Sequence, residues 1–114
     1  MKASGVATVL TDPTRPDNPI VFANDAFSDL TGYAADEIIG RNCRFLQNPD
    51  TDPATIRTLH EAVAAQLPIS VEILNRKRDG TLFWNGLCVR PVFDADGKLG
   101  HFVGNQAMSV SGGH

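Results

Sequence analysis

The chain has 114 residues, 42% hydrophobic and 20% charged, with a formal net charge of -3 at pH 7. That length fits one domain around one modest core, and that balance suits a globular chain rather than a disordered or fibrous one. A negative balance without a basic stripe argues against a nucleic-acid partner, and no apolar run is long enough to span a membrane.

Residues 6–10 read as a first strand, stopped by Thr11-Asp12-Pro13 and a turn-rich stretch to Pro19. Residues 20–23 form a second short strand. Asn24 is placed to cap a helix through Leu30, ended by Thr31-Gly32. Another helical turn begins near Ala35-Asp36-Glu37 and stops at Gly40, and a further short turn carries Cys43. Asp52 and Pro53 open the longest helix as cap and first residue, with Ile56, Leu59 and Val63 as its buried stripe and Arg57 and His60 beside it. Pro68 opens a strand over 69–76, Asp79-Gly80 turns it into a strand over 82–92, and Asp94-Ala95-Asp96-Gly97 turns that into a last strand over 99–108. Three strands joined by aspartate–glycine turns make an antiparallel meander. Residues 1–5 are an extension, 6–108 the domain and 109–114 a frayed tail.

Gly40-Arg41-Asn42-Cys43-Arg44-Phe45-Leu46-Gln47 packs a thiol among cationic and amide side chains. Cations make a thiolate more accessible, and amides orient a flat heterocycle through hydrogen bonds. The plain alternative is a capped helical turn with one buried thiol. The cysteines, Cys43 and Cys88, are too far apart for a metal cluster. Without a signal peptide or a cysteine-dense framework they point to a reducing, cytoplasmic home.

Strand parity adds a non-local clue. Period two sets Val71, Ile73 and Asn75 on one face of the first meander strand, Asn85, Leu87 and Val89 on one face of the next, and Phe102, Gly104 and Gln106 on one face of the last. If these faces coincide, three amides enter an apolar concavity. An unpaired buried amide costs about 1–3 kcal/mol, so they either satisfy one another, Asn75 with Asn85 for example, or hold a polar ring near Gln47. The opposite parity carries Leu74, Leu82, Trp84, Cys88 and Val103, an apolar outer face that needs a cover.

These residues resemble the light–oxygen–voltage (LOV) domains, the blue-light-sensing branch of the PAS superfamily. The segment 40–47 matches the family signature. Pro16-Asp17-Asn18-Pro19, Phe22-Ala23-Asn24-Asp25-Ala26-Phe27, Leu30-Thr31-Gly32-Tyr33, Asp52-Pro53-Ala54-Thr55, Phe83-Trp84-Asn85 and Phe102-Val103-Gly104 through Gln106 follow in family order. The likeness covers about residues 6–108.

It implies an α+β PAS fold, a five-stranded antiparallel sheet with small helices enclosing flavin mononucleotide (FMN). By the same resemblance Cys43 is the photoactive nucleophile, bonding reversibly to flavin carbon C4a after blue light. Asn42, Gln47, Asn75, Asn85 and Gln106 surround the ring, with Asn75 and Asn85 at its pyrimidine edge. Arg44 binds phosphate, and Val9, Thr11, Leu46, Ile56, Leu87, Val89, Phe102 and Gly104 form the pocket wall. Glu37 and Arg78 form a surface salt bridge, which stabilises little. The resemblance implies signalling to an effector or partner, and the apolar outer face of Leu74, Trp84 and Val103 leads to the expectation of a weak homodimer there or through a flanking helix.

Some positions depart from the family pattern. His60 stands where a second phosphate arginine is usual, and an imidazole offers one donor where guanidinium offers a fork, with Arg57 a turn away to compensate. Asn48 replaces a glycine and is expected to tolerate a left-handed backbone. Arg76 replaces a tyrosine, Asn105 a valine, and Leu87 the aromatic of many plant members. Two rivals stand beside the photoreceptor: a flavin oxidoreductase with Cys43 as redox thiol, which lacks a dinucleotide fingerprint, and a light-independent PAS interaction module.

Overall fold

The structure, a computed structural model, describes residues 5–109. The extension over 1–5 and the tail over 109–114 therefore lie outside the described residues except for Gly5 and Ser109. In chain order the elements are β1 (Ala7–Thr11), β2 (Ile20–Ala23), α1 (Asp25–Thr31), α2 (Ala35–Ile38), a 3-10 turn (Cys43–Leu46), α3 (Pro53–Ala64), β3 (Ile69–Arg76), β4 (Leu82–Phe93) and β5 (Leu99–Met108). The strands form one five-stranded sheet in the order β2-β1-β5-β4-β3. Every neighbouring pair is antiparallel. This is the α+β PAS arrangement expected from the sequence.

Local chemistry sets the element ends. Asn24 Oδ1 accepts from Phe27 N, capping α1, and from Thr8 N, both at 3.0 Å, while its Nδ2 donates to Val6 O at 2.8 Å. One side chain thus starts the helix and ties it to β1. Gly32 ends α1 in the left-handed region at φ 80. Asp52 Oδ1 accepts from Ala54 N at 3.0 Å, and Pro53 follows as the first residue of α3. The first strand runs to Thr11, one residue beyond the sequence expectation, because Thr11 pairs with both Ile20 and Phe102.

The core sits between α1, α2 and one face of β1 and β2. Ala7, Val9, Ile20, Phe27, Ile38 and Leu46 are buried there, with Ile20, Phe27 and Ile38 wholly enclosed. Ile20 also receives the next turn: Gly40 N donates to Ile20 O and Ile20 N to Arg41 O, each at 2.8 Å. That clamp sets the cysteine turn against the sheet. On the surface, Arg78 Nε and Nη2 reach Glu37 Oε2 at 2.9 and 2.7 Å, joining α2 to the β3–β4 turn.

The α3 stripe departs from expectation. Ile56, Leu59 and Val63 are only half-buried, and α3 has no buried residue. Leu59 and Val63 face a cavity instead of a packed core. Asn48 departs too: among the described residues only Asp17, Asn18 and Gln66 have positive φ outside glycine. Asn48 Oδ1 accepts from Asp50 N at 2.9 Å and its amide lies 3.2 Å from Thr51 Oγ1, so the side chain builds the turn and no left-handed backbone is needed.

Candidate functional site

Asn42 caps the cysteine turn, its Oδ1 accepting from Arg44 N at 2.9 Å, and its Nδ2 donates to Asp17 O at 2.8 Å. Leu46 is buried beneath the turn, and Phe45 meets Tyr33 edge-on with ring centroids 4.9 Å apart. With its cap, its buried leucine and its aromatic anchor fixed, the turn presents Cys43 to the adjoining cavity.

The charges around this thiol differ from the sequence expectation. Burial pushes the Cys43 thiol up from 9.0 to about 12. Its two arginine neighbours are engaged elsewhere. Arg41 stacks over the Phe45 ring at 4.6 Å, and Arg44 pairs with Asp17. The site therefore holds a protonated thiol at neutral pH, not a thiolate stabilised by cations. Cys88, the other free cysteine, lies 3.0 Å from Ser70 Oγ on the outer face.

The cavity has a volume of about 630 Å³, within the range of small-molecule sites. Its floor is the sheet. Ile73, Asn75, Asn85, Leu87 and Val89 come from β3 and β4, and Phe102, Gly104 and Gln106 from β5. The register explains why they share one face: Ile73 opposes Asn85, Leu87 opposes Gln106, and Val89 opposes Gly104. Val9 and Thr11 extend that floor from β1.

The turn supplies Asn42, Cys43, Arg44, Leu46 and Gln47, and α3 supplies Leu59, His60, Val63 and Ala64. Ile56 and Arg57, the remaining sequence candidates, lie off the cavity wall, and Arg57 is exposed. The wall also contains residues that the sequence reading gave no site role: Pro13, Arg15, Asp17 and Asn18 from the β1–β2 loop. Their signal was the Pro-Asp-Asn-Pro turn, which positive φ at Asp17 and Asn18 folds against the cavity. Exposed Arg15, Asp17, Arg44 and His60 form a polar rim, whereas Asn75, Asn85 and Gln106 lie buried below.

Polar groups in the interior are partly satisfied by one another. Asn85 Nδ2 donates to Asn75 Oδ1 at 2.9 Å, Asn75 Nδ2 to Leu74 O at 3.2 Å, and Gln106 Nε2 to Gly104 O at 3.1 Å. Thr11 Oγ1, Asn18 Oδ1 and Asn85 Oδ1 are buried without a protein partner, and all three residues line this cavity. Unmet buried groups each cost about 1–3 kcal/mol, so their gathering marks a site shaped for a polar ligand. Gly104 keeps the floor clear. A Cβ there stands 3.2 Å from Val9 Cγ2 and 3.6 Å from Gln106 Nε2. An apolar floor, orphaned buried polar atoms and a rim that carries Arg15 and Arg44 fit a flavin. No group of three or more His, Cys, Asp or Glu able to hold a metal occurs among the described residues.

The comparisons with known proteins agree with this geometry. The PAS domain model matches residues 5–106. The light-state structure of the blue-light photoreceptor Aureochrome1 LOV is 42% identical, with a TM-score of 0.91 over 95% of this chain and 84% of that one. A light–oxygen–voltage domain studied with a flavin analogue is 39% identical, also at a TM-score of 0.91, over 95% of this chain and 80% of that one. A blue-light-activated histidine kinase of Brucella canis is 56% identical over 98 residues, which are 86% of this chain and 20% of the kinase. The chain thus spans about a fifth of the length of the curated relatives it matches.

The chain belongs to the PAS domain family and, within it, to the light–oxygen–voltage domains. It is a blue-light photoreceptor domain of the flavin-dependent class.

Proposed function

We propose that the domain binds FMN and converts blue light into a reversible cysteine–flavin bond, signalled through the sheet to an effector. The observation that carries this reading is the meeting of Cys43, the orphaned Asn85 Oδ1 and the Gly104 clearance in one cavity. Bound FMN supplies blue-light absorption and an electrophilic ring carbon to which a thiol adds reversibly.

The remaining steps belong to this chain's residues. Cys43 keeps its proton in darkness, because burial holds its thiol at about 12, and so brings both a sulfur nucleophile and a proton to the reaction. Asn75 and Asn85 hold the ring's polar edge, with Asn85 Oδ1 ready to accept an N–H. Arg44 and His60 serve the phosphate at the rim, with Thr11, Asn42 and Gln47 as further polar contacts. Val9, Leu46, Leu87, Val89 and Phe102 exclude water around the ring. Ile56 and Arg57 lie outside the cavity wall and are assigned no contact with the flavin.

Gln106 links the cavity to the sheet. Its Nε2 is engaged by the carbonyl of Gly104 in the same strand. An amide that must change from donor to acceptor toward the ring exchanges its ends, which sets Oε1 against that carbonyl. The two oxygens repel, so β5 must adjust its backbone or release the side chain. β5 pairs with both β1 and β4, and Asn105 Nδ2 donates to Thr8 Oγ1 at 2.9 Å on the opposite face. A change at the ring thereby reaches the outer surface, as a two-state switch requires.

On that face Leu74 opposes Trp84, and Leu10 bridges Phe22 and Val103. We assign it to a weak homodimer or a flanking effector helix, and the full-length parent to a sensor coupled to a histidine kinase, as in the Brucella relatives. Two free thiols suit a cytoplasmic, reducing setting. No helix among the described residues is long and apolar enough to cross a membrane. The test is to release the bound chromophore from purified protein and identify it, then follow its blue absorption band under illumination. Reversible loss of the band supports the reading. Dark bleaching that depends on an added substrate supports an oxidoreductase, and protein without flavin supports a bare interaction module.

A further inference from the structure

We propose that Asp17 is a specificity-determining residue that sets how strongly this pocket prefers a phosphorylated flavin to an unphosphorylated one. The proposal rests on the flavin-binding reading above. Asp17 lines the same cavity as Arg15, Arg44 and His60, and its carboxylate is the ion-pair partner of the Arg44 guanidinium. The pairing holds the Asp17 carboxyl below its ordinary range, so the residue is ionised at neutral pH.

The loop, not chance, places that carboxylate. Asp17 and Asn18 are consecutive left-handed residues, at φ 68 and 48, neither of them glycine. Such a backbone costs free energy and persists only where surrounding contacts hold it. Here Asn42 Nδ2 donates to Asp17 O at 2.8 Å, Asn18 N donates to Arg15 O at 3.1 Å, and Asp12 N donates to Pro19 O at 2.9 Å. The same asparagine therefore caps the cysteine turn and anchors Asp17 beside Arg44.

An anion that engages Arg44 must displace this carboxylate or share the guanidinium with it, and it meets a like charge in either case. Riboflavin carries the same ring and ribityl chain without the phosphate, so it meets neither penalty. Asp17 thus weakens binding of the phosphate ester alone. The departure at His60 sharpens the effect, because one imidazole in place of a guanidinium fork leaves Arg44 a larger share of phosphate recognition. Both partners of the pair are more than half exposed, at 55% and 56%, so solvent screening confines the effect to about 3- to 10-fold.

The experiment titrates apo-protein with FMN and with riboflavin, reading the quenching of flavin fluorescence, for wild type, D17N, R44Q and the double variant. Asn tolerates the left-handed backbone at position 17, and circular dichroism checks that each variant is folded. Asp17→Asn is expected to tighten FMN binding by about 3- to 10-fold and to leave riboflavin within about 2-fold. In the Arg44→Gln background the gain is expected to fall below about 2-fold, because the competed group is gone. Unchanged or weaker FMN binding in D17N overturns the proposal, as does equal tightening of both flavins or a full gain without Arg44. Wild-type protein that is folded but binds neither flavin overturns the flavin reading itself.

Discussion

Asn85 donates its amide to Asn75 Oδ1 across 2.9 Å and leaves its own carbonyl oxygen buried without a protein partner. The two side chains face each other from adjacent strands, with Asn75 opposite Phe83 and Asn85 opposite Ile73. The pair is half-satisfied, and the unsatisfied half is an acceptor in the cavity.

Asn85→Leu separates stability from binding. Leucine removes an orphaned oxygen and also the donor to Asn75, and these opposed effects leave apo-protein stability within about 1–2 kcal/mol of wild type. Flavin affinity is expected to fall at least about tenfold, because a ring N–H loses its acceptor. Chemical denaturation of the apo-protein and flavin titration read the two quantities. Tight flavin binding in Asn85→Leu contradicts the assigned role.

The thiol sets a pH dependence. The Cys43 value rises from 9.0 in the unfolded chain to about 12 in the fold. A raised value means that the stability contribution is complete below about 9 and is lost as pH climbs toward 12. In a Cys88→Ser background, alkylation of dark apo-protein by iodoacetamide is expected to stay slow at neutral pH and accelerate only in that alkaline window. Fast alkylation near pH 7 instead means a thiolate stabilised by its arginine neighbours.

Gly104→Ala tests the clearance above the floor. Its methyl group meets Val9 Cγ2 at 3.2 Å, within a sheet that cannot yield freely. The variant is expected to lose about 1–2 kcal/mol of stability and to purify with less flavin. Thermal unfolding and the ratio of flavin to protein absorbance check both. Wild-type flavin content in the variant contradicts the cradle.

Much of this was legible in the sequence because the signals were local. Asn24, Asp52-Pro53 and the aspartate–glycine turns mark element ends, and period two sorts each meander strand into two faces, while the register brings Asn75, Asn85 and Gln106 to the same one. What the sequence hid was the environment of each group. The stripe of α3 reads as core in any helical wheel, yet Leu59 and Val63 face a cavity that only the closed fold creates. Arg41 and Arg44 look like thiolate partners in the chain, whereas Phe45 and Asp17 claim them in space. Asp17 itself reads as an ordinary turn residue until its loop folds onto the rim.

Assembly is tested at Trp84. The outer face carries Trp84 and Leu74 half-buried, with Leu82 and Phe22 exposed at 45% and 48%. Covering a few hundred Å² at about 25 cal/mol per Å² is of the same size as the cost of association, so a weak, concentration-dependent dimer is expected. Sedimentation over a wide concentration range, in darkness and light, is to be repeated with Trp84→Arg. A monomer at high concentration, or a dimer indifferent to the new charge, contradicts this surface assignment.

The most direct test of the central claim compares wild type with Cys43→Ala through a cycle of darkness, blue light and darkness. The alanine variant loses the sulfur but little of the cavity surface, so its flavin affinity is expected to stay within about threefold of wild type. Wild type should lose its blue absorption band on illumination and regain it in darkness, whereas Cys43→Ala keeps the band throughout and fluoresces persistently. Full bleaching and dark recovery in Cys43→Ala at the wild-type rate would contradict the account.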